Sequence, residues 1–161
     1  MIRQCLVALA LVCAPAWSAG IGVIDVEAVL SASDRAQSAR AEWQAELAPT
    51  QARLARLLEQ GQLAESRLQT ADVGAAERSD LVAEMTRLRE QMAALQQQAQ
   101  ALLAAREQSF LETNLPILES LVIELADAQN LELVVNAEAV VWGRPSVNLS
   151  DDLLVRFNAT P

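Results

Sequence analysis

Residues 81–102 read LVAEMTRLREQMAALQQQAQAL and contain the pattern that decides the fold. Apolar residues alternate at steps of four and three, and the set is Leu81, Met85, Leu88, Met92, Leu95, Ala99 and Leu102. Such a repeat places one apolar stripe along a helix and is typical of a coiled-coil seam. The stretch therefore predicts a long helix that packs against a second helix.

The second helix is predicted on the N-terminal side of this stretch. From residue 34 onward the chain is rich in Ala, Leu, Gln, Glu and Arg, and the seam leucines here are Leu47, Leu54, Leu57 and Leu68. A break marked by glycine at residues 72–74 separates the two helical stretches. We therefore predict an antiparallel hairpin over residues 34–130, which we call the arm. At about 1.5 Å per residue, a helix of about forty residues would project about 60 Å.

Two prolines and one glycine interrupt the helical pattern of the arm. Pro49 and Pro116 lack the backbone N–H that a helix interior uses, so each is expected to kink or restart its helix. Gly61 interrupts the seam of the first half. We expect bending of the arm to concentrate at these three positions. Beyond Pro116 the apolar positions change register, which indicates that the arm enters the rest of the protein there.

The two ends of the chain predict short strands. Residues 21–26 read IGVIDV, and residues 131–135 read LELVV, both dominated by β-branched residues and leucine. Residues 140–142, VVW, predict a third strand, and residues 148–157 predict a capped helix with acidic residues in its first turn. Strands so short and so few must meet to form a sheet.

Residues 19–33 and 131–161 are therefore predicted to form one small sheet-containing body. The arm would be inserted in the middle of this body, which makes the fold class α+β. Ser31, Ser33 and Asp34 are all candidate caps for the first arm helix, because Ser and Asp accept hydrogen bonds from the N–H groups that a helix start leaves unpaired.

The first 18 residues have the layout of a secretory signal peptide. A basic start at Arg3 is followed by the apolar run 5–14 and by small residues up to Ala19, before which cleavage is expected. The alternative of a membrane anchor is less favoured, because ten apolar residues are too few to span a bilayer. Both cysteines lie in this segment, so the mature chain would lack disulfides in a compartment that permits them.

Composition excludes most familiar enzyme classes. The chain has no His, which removes the Ser-His-Asp and Cys-His arrangements and any imidazole metal ligand. No constellation of acidic residues indicates a metal site, and no glycine-rich phosphate loop is present. We therefore expect no catalytic, cofactor or metal site and an activity that needs no ATP. The net charge of −9 also disfavours nucleic acid and anionic membrane as partners.

The negative charge is unevenly distributed along the chain. Residues 33–110 carry nine Arg and eleven acidic residues, whereas residues 111–161 carry two Arg and eight acidic residues. The chain has no Lys, so any positive contact of the arm is an arginine contact. We expect weaker long-range electrostatic steering and a gentler salt dependence than a similar but basic protein would show.

Several segments resemble the OmpH/Skp family of periplasmic chaperones over essentially the whole mature chain. The resembling segments are the signal peptide, the strand start 21–26, the long hairpin, the block ADAQNLELVVNAEAV at 126–140 and the closing LSDDLL at 149–154. The resemblance implies a homotrimer whose bodies join their strands into a shared barrel. It also implies that three arms surround a cavity that holds unfolded outer membrane proteins. Interface residues would then come from the body strands: Val23, Ile24, Val26, Leu133, Val134, Val135 and Val141.

The chain departs from the family in one respect, since the best-known member is basic and rich in Lys. Binding of lipopolysaccharide or anionic lipid is therefore not carried over, and membrane contact is expected to be weak. The leucine and methionine seam is interpreted as packing between the arm helices rather than as a binding stripe. Candidate contacts with an unfolded client are the remaining arm residues Arg53, Arg56, Arg67, Val82, Arg87, Arg89 and Leu103.

A second hypothesis remains open from the sequence. A long coiled coil of the cell envelope would also suit a structural or adaptor protein that binds a folded partner. Suppression of aggregation distinguishes the two, because only a chaperone of this kind would keep an unfolded protein in solution.

Overall fold

The computed structural model describes residues 20–70 and 73–160. The predicted signal peptide, with both cysteines, and the break residue Asp72 lie outside the described residues. In chain order the elements are β1 (Gly20–Ile24), α1 (Val26–Ala32), α2 (Asp34–Leu68), α3 (Ala75–Ala128), β2 (Leu131–Asn136) and α4 (Ser150–Ala159), with two 3-10 turns at Ala137–Ala139 and Pro145–Val147.

The arm consists of α2 and the longer part of α3, which run antiparallel. The ring of Trp43 lies against that of Phe110, and Glu46 is ion-paired with Arg106. Residue numbers thus rise along α2 while those of the contacted residues fall along α3, which is the antiparallel arrangement. Ser33 is the cap of α2, since its hydroxyl accepts a hydrogen bond of 3.1 Å from the Ala36 N–H. This selects one of the three caps that the sequence allows.

Neither proline restarts its helix. Pro49 lies within the unbroken α2 and Pro116 within the unbroken α3. Of the two expected outcomes, a kink or a restart, the restart is therefore wrong. Each proline leaves the carbonyl four residues earlier without a helical N–H partner, and these residues, Ala45 and Glu112, are exposed.

The body sheet has two parallel strands, with β1 paired with β2 from Gly20–Leu131 to Ile24–Asn136. The strands come from the two ends of the chain, as predicted, and the whole arm forms the connection between them. Gly22 permits close packing here, because a Cβ at this position would lie 2.7 Å from Leu149 Cδ1. Asn130 turns the chain from α3 into β2 with a φ of 52°, in the left-handed region that Asn tolerates.

The body core gathers residues from the sheet and three helices. The end of α3 contributes Leu118, Leu121 and Leu125, in agreement with the register change near Pro116. The other members are Ile24, Val29, Leu30, Leu149, Leu153 and Phe157. Hydrophobic burial therefore packs α4 and the C-terminal end of α3 against the sheet.

The predicted third strand at residues 140–142 is wrong for the described chain. Asn136 accepts a hydrogen bond from the Glu138 N–H, and the backbone enters the 3-10 turn there. The segment that follows has no neighbouring strand among residues 20–70 and 73–160. Instead, an isolated bridge joins Val23 to Asn148. Helix α4 begins at Ser150, whose own hydroxyl accepts from the Asp25 N–H rather than capping the helix.

The fold class is nevertheless confirmed. The protein is an α+β structure, with a small sheet and short helices at one end and a long helical hairpin inserted between the two strands.

Candidate functional site

The predicted seam residues are all at least partly buried. Leu47, Leu57, Leu81 and Leu88 are buried. The remaining members are half-buried, namely Leu54, Leu68, Met85, Met92, Leu95 and Leu102. Two helices alone cannot enclose a seam on every side, so partial exposure is the expected result of this packing.

Large apolar side chains also lie on the outside of the arm. Val82 is 52% exposed, as predicted for a contact residue, whereas Leu103 is half-buried. Leu58 and Leu63, at 52% and 56% exposure, were not predicted. The sequence could have indicated their exposure, because both are leucines of the arm that lie outside the seven-residue register of the seam. Together with Val82 they form what we call the outer arm leucines and valine.

A groove opens on the arm at Gly61. Its volume is about 230 Å³, and its lining consists of Leu57, Leu58, Gly61, Gln62, Glu65, Met85, Leu88, Arg89 and Met92. Apart from its chain neighbours and the backbone of its own helix, no atom lies within 4 Å of the place where a Cβ of Gly61 would be. The glycine therefore leaves space above the half-buried methionines, whose flexible thioether chains adapt to different partners.

The place where the arm meets the body contains an aromatic pair. The rings of Trp43 and Phe110 pack edge to face, with centroids 6.1 Å apart and planes at 89°. They line a second, larger cavity of about 470 Å³ with Val26, Leu30 and Leu111. Apolar surface thus continues from the arm onto the body.

The body carries its own exposed apolar surface. Val141 and Trp142 are 104% and 79% exposed, and Leu133 is exposed on β2. Val23, Val26, Val134 and Val135 are half-buried. Ile24 differs from the other predicted interface residues, because it is buried in the core of its own chain. A cavity of about 420 Å³ lies beside it, lined by residues of β2 and α3 that include Leu118, Val122, Val134 and Val135.

Comparison with known proteins identifies the family. The sequence profile described as outer membrane protein (OmpH-like) matches residues 20–157. The chain belongs to the OmpH-like family. A crystal structure of an OmpH-like protein from Caulobacter crescentus CB15 aligns with a TM-score of 0.62 and 16% sequence identity, over 99% of this chain and 91% of that chain. No curated protein matches the chain.

The five predicted contact arginines of this OmpH-like chain are all exposed. They are Arg53, Arg56, Arg67, Arg87 and Arg89. Within residues 20–70 and 73–160 the one salt bridge is that of Glu46 with Arg106, with an N–O distance of 2.8 Å. The hydrogen bond from Arg106 lowers the pKa of Glu46 below its ordinary value, and the Arg106 pKa is raised in turn.

Among the described residues, no group of three or more His, Cys, Asp or Glu side chains is placed to hold a metal ion. Over the same residues, no helix combines the length and the apolar character needed to cross a membrane.

Proposed function

We propose that this chain is an ATP-independent holdase chaperone of the periplasm. It binds unfolded outer membrane proteins between the arms of a homotrimer and prevents their aggregation before membrane insertion. Membership of the OmpH-like family supports a chaperone role. The Caulobacter protein of similar fold is described as a candidate outer membrane chaperone.

The observation that carries the proposal is the arm itself. Its helices α2 and α3 pack only along a narrow seam, and Leu58, Leu63 and Val82 remain more than half exposed along its length. Contiguous exposed apolar surface marks interaction sites on soluble proteins, and Leu58 lines the Gly61 groove together with Leu57, Met85 and Met92. An unfolded membrane protein presents many apolar side chains, and each can make a weak contact with such a surface.

Weak contacts hold a client when many act together. Three arms around one cavity would present the outer arm leucines and valine, the Gly61 groove and the arginines several times over at high effective concentration. Each contact breaks easily, so the client is released without a nucleotide cycle. The arginines add hydrogen bonds and stacking on aromatic side chains, which apolar contacts alone do not provide.

Trimer formation is supported by the surface of the body. A two-stranded sheet is marginal by itself, and strand addition from another copy would satisfy the open edge of β2. The segment 140–142 has exposed Val141 and Trp142 and no strand partner in the part of its chain that the structure describes, and it is our candidate for the added strand. The proposed interface therefore consists of Val23, Val26, Leu133, Val134, Val135 and Val141, while Ile24 supports it from the core.

An aggregation assay tests the function. A urea-unfolded outer membrane β-barrel protein is diluted into buffer with or without the mature chain, and light scattering is followed. We expect scattering to be suppressed at about one trimer per client, and to stay suppressed at raised salt. Undiminished scattering with an excess of chaperone would contradict the proposal and favour an adaptor that binds a folded partner.

A matched pair of variants locates the binding surface in the same assay. Replacing Leu58, Leu63 and Val82 together by Gln should weaken suppression, because it removes the exposed apolar groups of the arm. The control is Val155→Gln, which changes an equally apolar side chain that is 70% exposed on α4 of the body. Equal effects of the two variants would exclude the arm surface as the binding site.

Chemical cross-linking of the wild-type chain tests the trimer. A stable folded monomer would contradict the proposal, because it would have no cavity between arms.

A further inference from the structure

The arm leaves the body through a joint that is built around Arg35. This residue is the second of α2, and its guanidinium contacts groups on α3 and at the end of α4. Nη2 donates a hydrogen bond of 2.8 Å to the Thr160 carbonyl, and Nη1 donates one of 3.3 Å to Asn114 Oδ1. Its central carbon lies 5.1 Å from the centroid of the Phe157 ring. One side chain thus connects the start of α2 with α3 and with the end of α4.

The partners of Arg35 are themselves fixed. Asn114 is one of two buried polar residues among those described, and its amide nitrogen donates 2.8 Å to the Phe110 carbonyl of α3. That bond orients the amide so that its oxygen faces Arg35. Phe157 is completely buried in the body core. A second bond, from the Asp34 N–H to Asn158 Oδ1 at 3.1 Å, ties the same turn of α2 to α4.

The body core holds the end of α3 but contains no residue of α2. Helix α2 is therefore connected to the body by the contacts at its first turn. A planar guanidinium with bonds in fixed directions restricts the orientation of that turn. Because a helix rises about 1.5 Å per residue, α2 extends about 50 Å beyond Arg35, and a rotation of about 10° at the joint would move its tip by about 9 Å.

We propose that Arg35 is a positioning residue which fixes the direction of the arm relative to the body by joining α2 and α3 to the C-terminal helix α4. The consequence for clients rests on the proposed function: the joint would set the width of the cavity between arms. The joint itself can be tested without any client.

The test measures residual dipolar couplings of body amides and of the arm amides of residues 35–48, which lie between the joint and Pro49, in the mature chain. For the wild type, one alignment tensor should describe both parts. For Arg35→Ala we expect the apparent order of the arm relative to the body to fall by about a third, the step from a rigid to a flexible element. Arg106→Ala is the matched control, because it removes an arginine that links α2 to α3 but not to α4, and it should leave the single tensor intact.

The Arg35→Lys variant separates positioning from simple stability. Lysine keeps the charge and one donor but loses the planar fork, so the arm should be partly loosened while the body remains folded. If Arg35→Ala does not fold, the comparison rests on Arg35→Lys, and a fully rigid arm in that variant overturns the proposal. A single tensor in a folded Arg35→Ala chain overturns it as well.

Client binding then distinguishes this proposal from the proposed function. Loosened arms in Arg35→Ala, together with a wild type that suppresses no aggregation, would leave the joint established and the chaperone function refuted. Rigid arms in Arg35→Ala, together with a wild type that suppresses aggregation, would refute the role of Arg35 and support the chaperone function.

Discussion

The body and the arm of this protein solve the problem of burial in different ways. In the body, residues from β1, α1, α3 and α4 converge on one core, and Leu153 and Phe157 are completely buried. In the arm, α2 and α3 meet along a line of single buried residues such as Leu57 and Leu88. Dense packing holds the elements of the body in one arrangement. The arm is less densely packed, but it is longer and leaves more of its side chains accessible. Local opening should accordingly cost less in the arm than in the body.

Truncation of a body leucine should have the largest effect. Leu153→Ala removes a side chain of 0% exposure from an enclosed core, and we expect the free energy of unfolding to fall by about 4 kcal/mol. Urea denaturation at constant protein concentration measures it, since an oligomer's stability depends on concentration. A loss near 1 kcal/mol or less would show that the site collapses easily and would weaken the contrast between body and arm.

The same substitution in the arm should cost less. Leu88 is 8% exposed and lies on a seam that water can reach, so Leu88→Ala should cost about 2 kcal/mol, at the low end for this change. Hydrogen exchange should accelerate in residues 75–100 and stay unchanged in the body. If exchange accelerated throughout, arm and body would be one cooperative unit, and the comparison would fail.

A pair of glycines sharpens the comparison. Gly61→Ala in the arm introduces a Cβ that meets no atom within 4 Å beyond its chain neighbours and its own helix backbone. Helix propensity should therefore stabilise α2 by about 0.5–1 kcal/mol and reduce its bending. Gly22→Ala in the body should destabilise, because its Cβ would lie 2.7 Å from Leu149 Cδ1 and 2.9 Å from Leu131 Cδ1. Slower exchange around residue 61 checks the first change, and a lowered urea midpoint checks the second. If both substitutions stabilised the protein, the body would have room for the added Cβ of Gly22→Ala, and the comparison of packing between body and arm would fail.

The sequence predicts the arm well because its pattern is local. The leucines of residues 81–102 specify a helix and its buried stripe within a few turns, without reference to the rest of the chain. The meeting of the two terminal strands also follows, since neither end contains enough strand to form a sheet. Ser33 becomes the cap through a hydrogen bond that Ser31 and Asp34 were equally able to offer by residue type.

What the sequence misses depends on distant partners. The segment 140–142 has strand composition, yet a strand needs a neighbour, and the described chain supplies none. Arg35 meets Asn114 and Thr160, which lie 79 and 125 positions away, so no spacing rule points to the joint. Residue type does not rank the exposure of apolar residues outside the seam register, so the sequence points to Leu103, which is half-buried, and misses Leu58 and Leu63, which are exposed.

The smallest expected effect concerns the ion pair between the arm helices. The hydrogen bond from Arg106 holds the pKa of Glu46 below its ordinary value, so the pair contributes to stability at neutral pH and loses that contribution as pH falls through the lowered pKa. Carboxyl NMR titration should show the Glu46 pKa rising toward its ordinary value in Arg106→Ala. The change in stability should be smaller than any above, because both side chains are exposed to water. An unchanged Glu46 pKa would mean that the pair is not held in solution, and that the arm helices depend on their apolar seam alone.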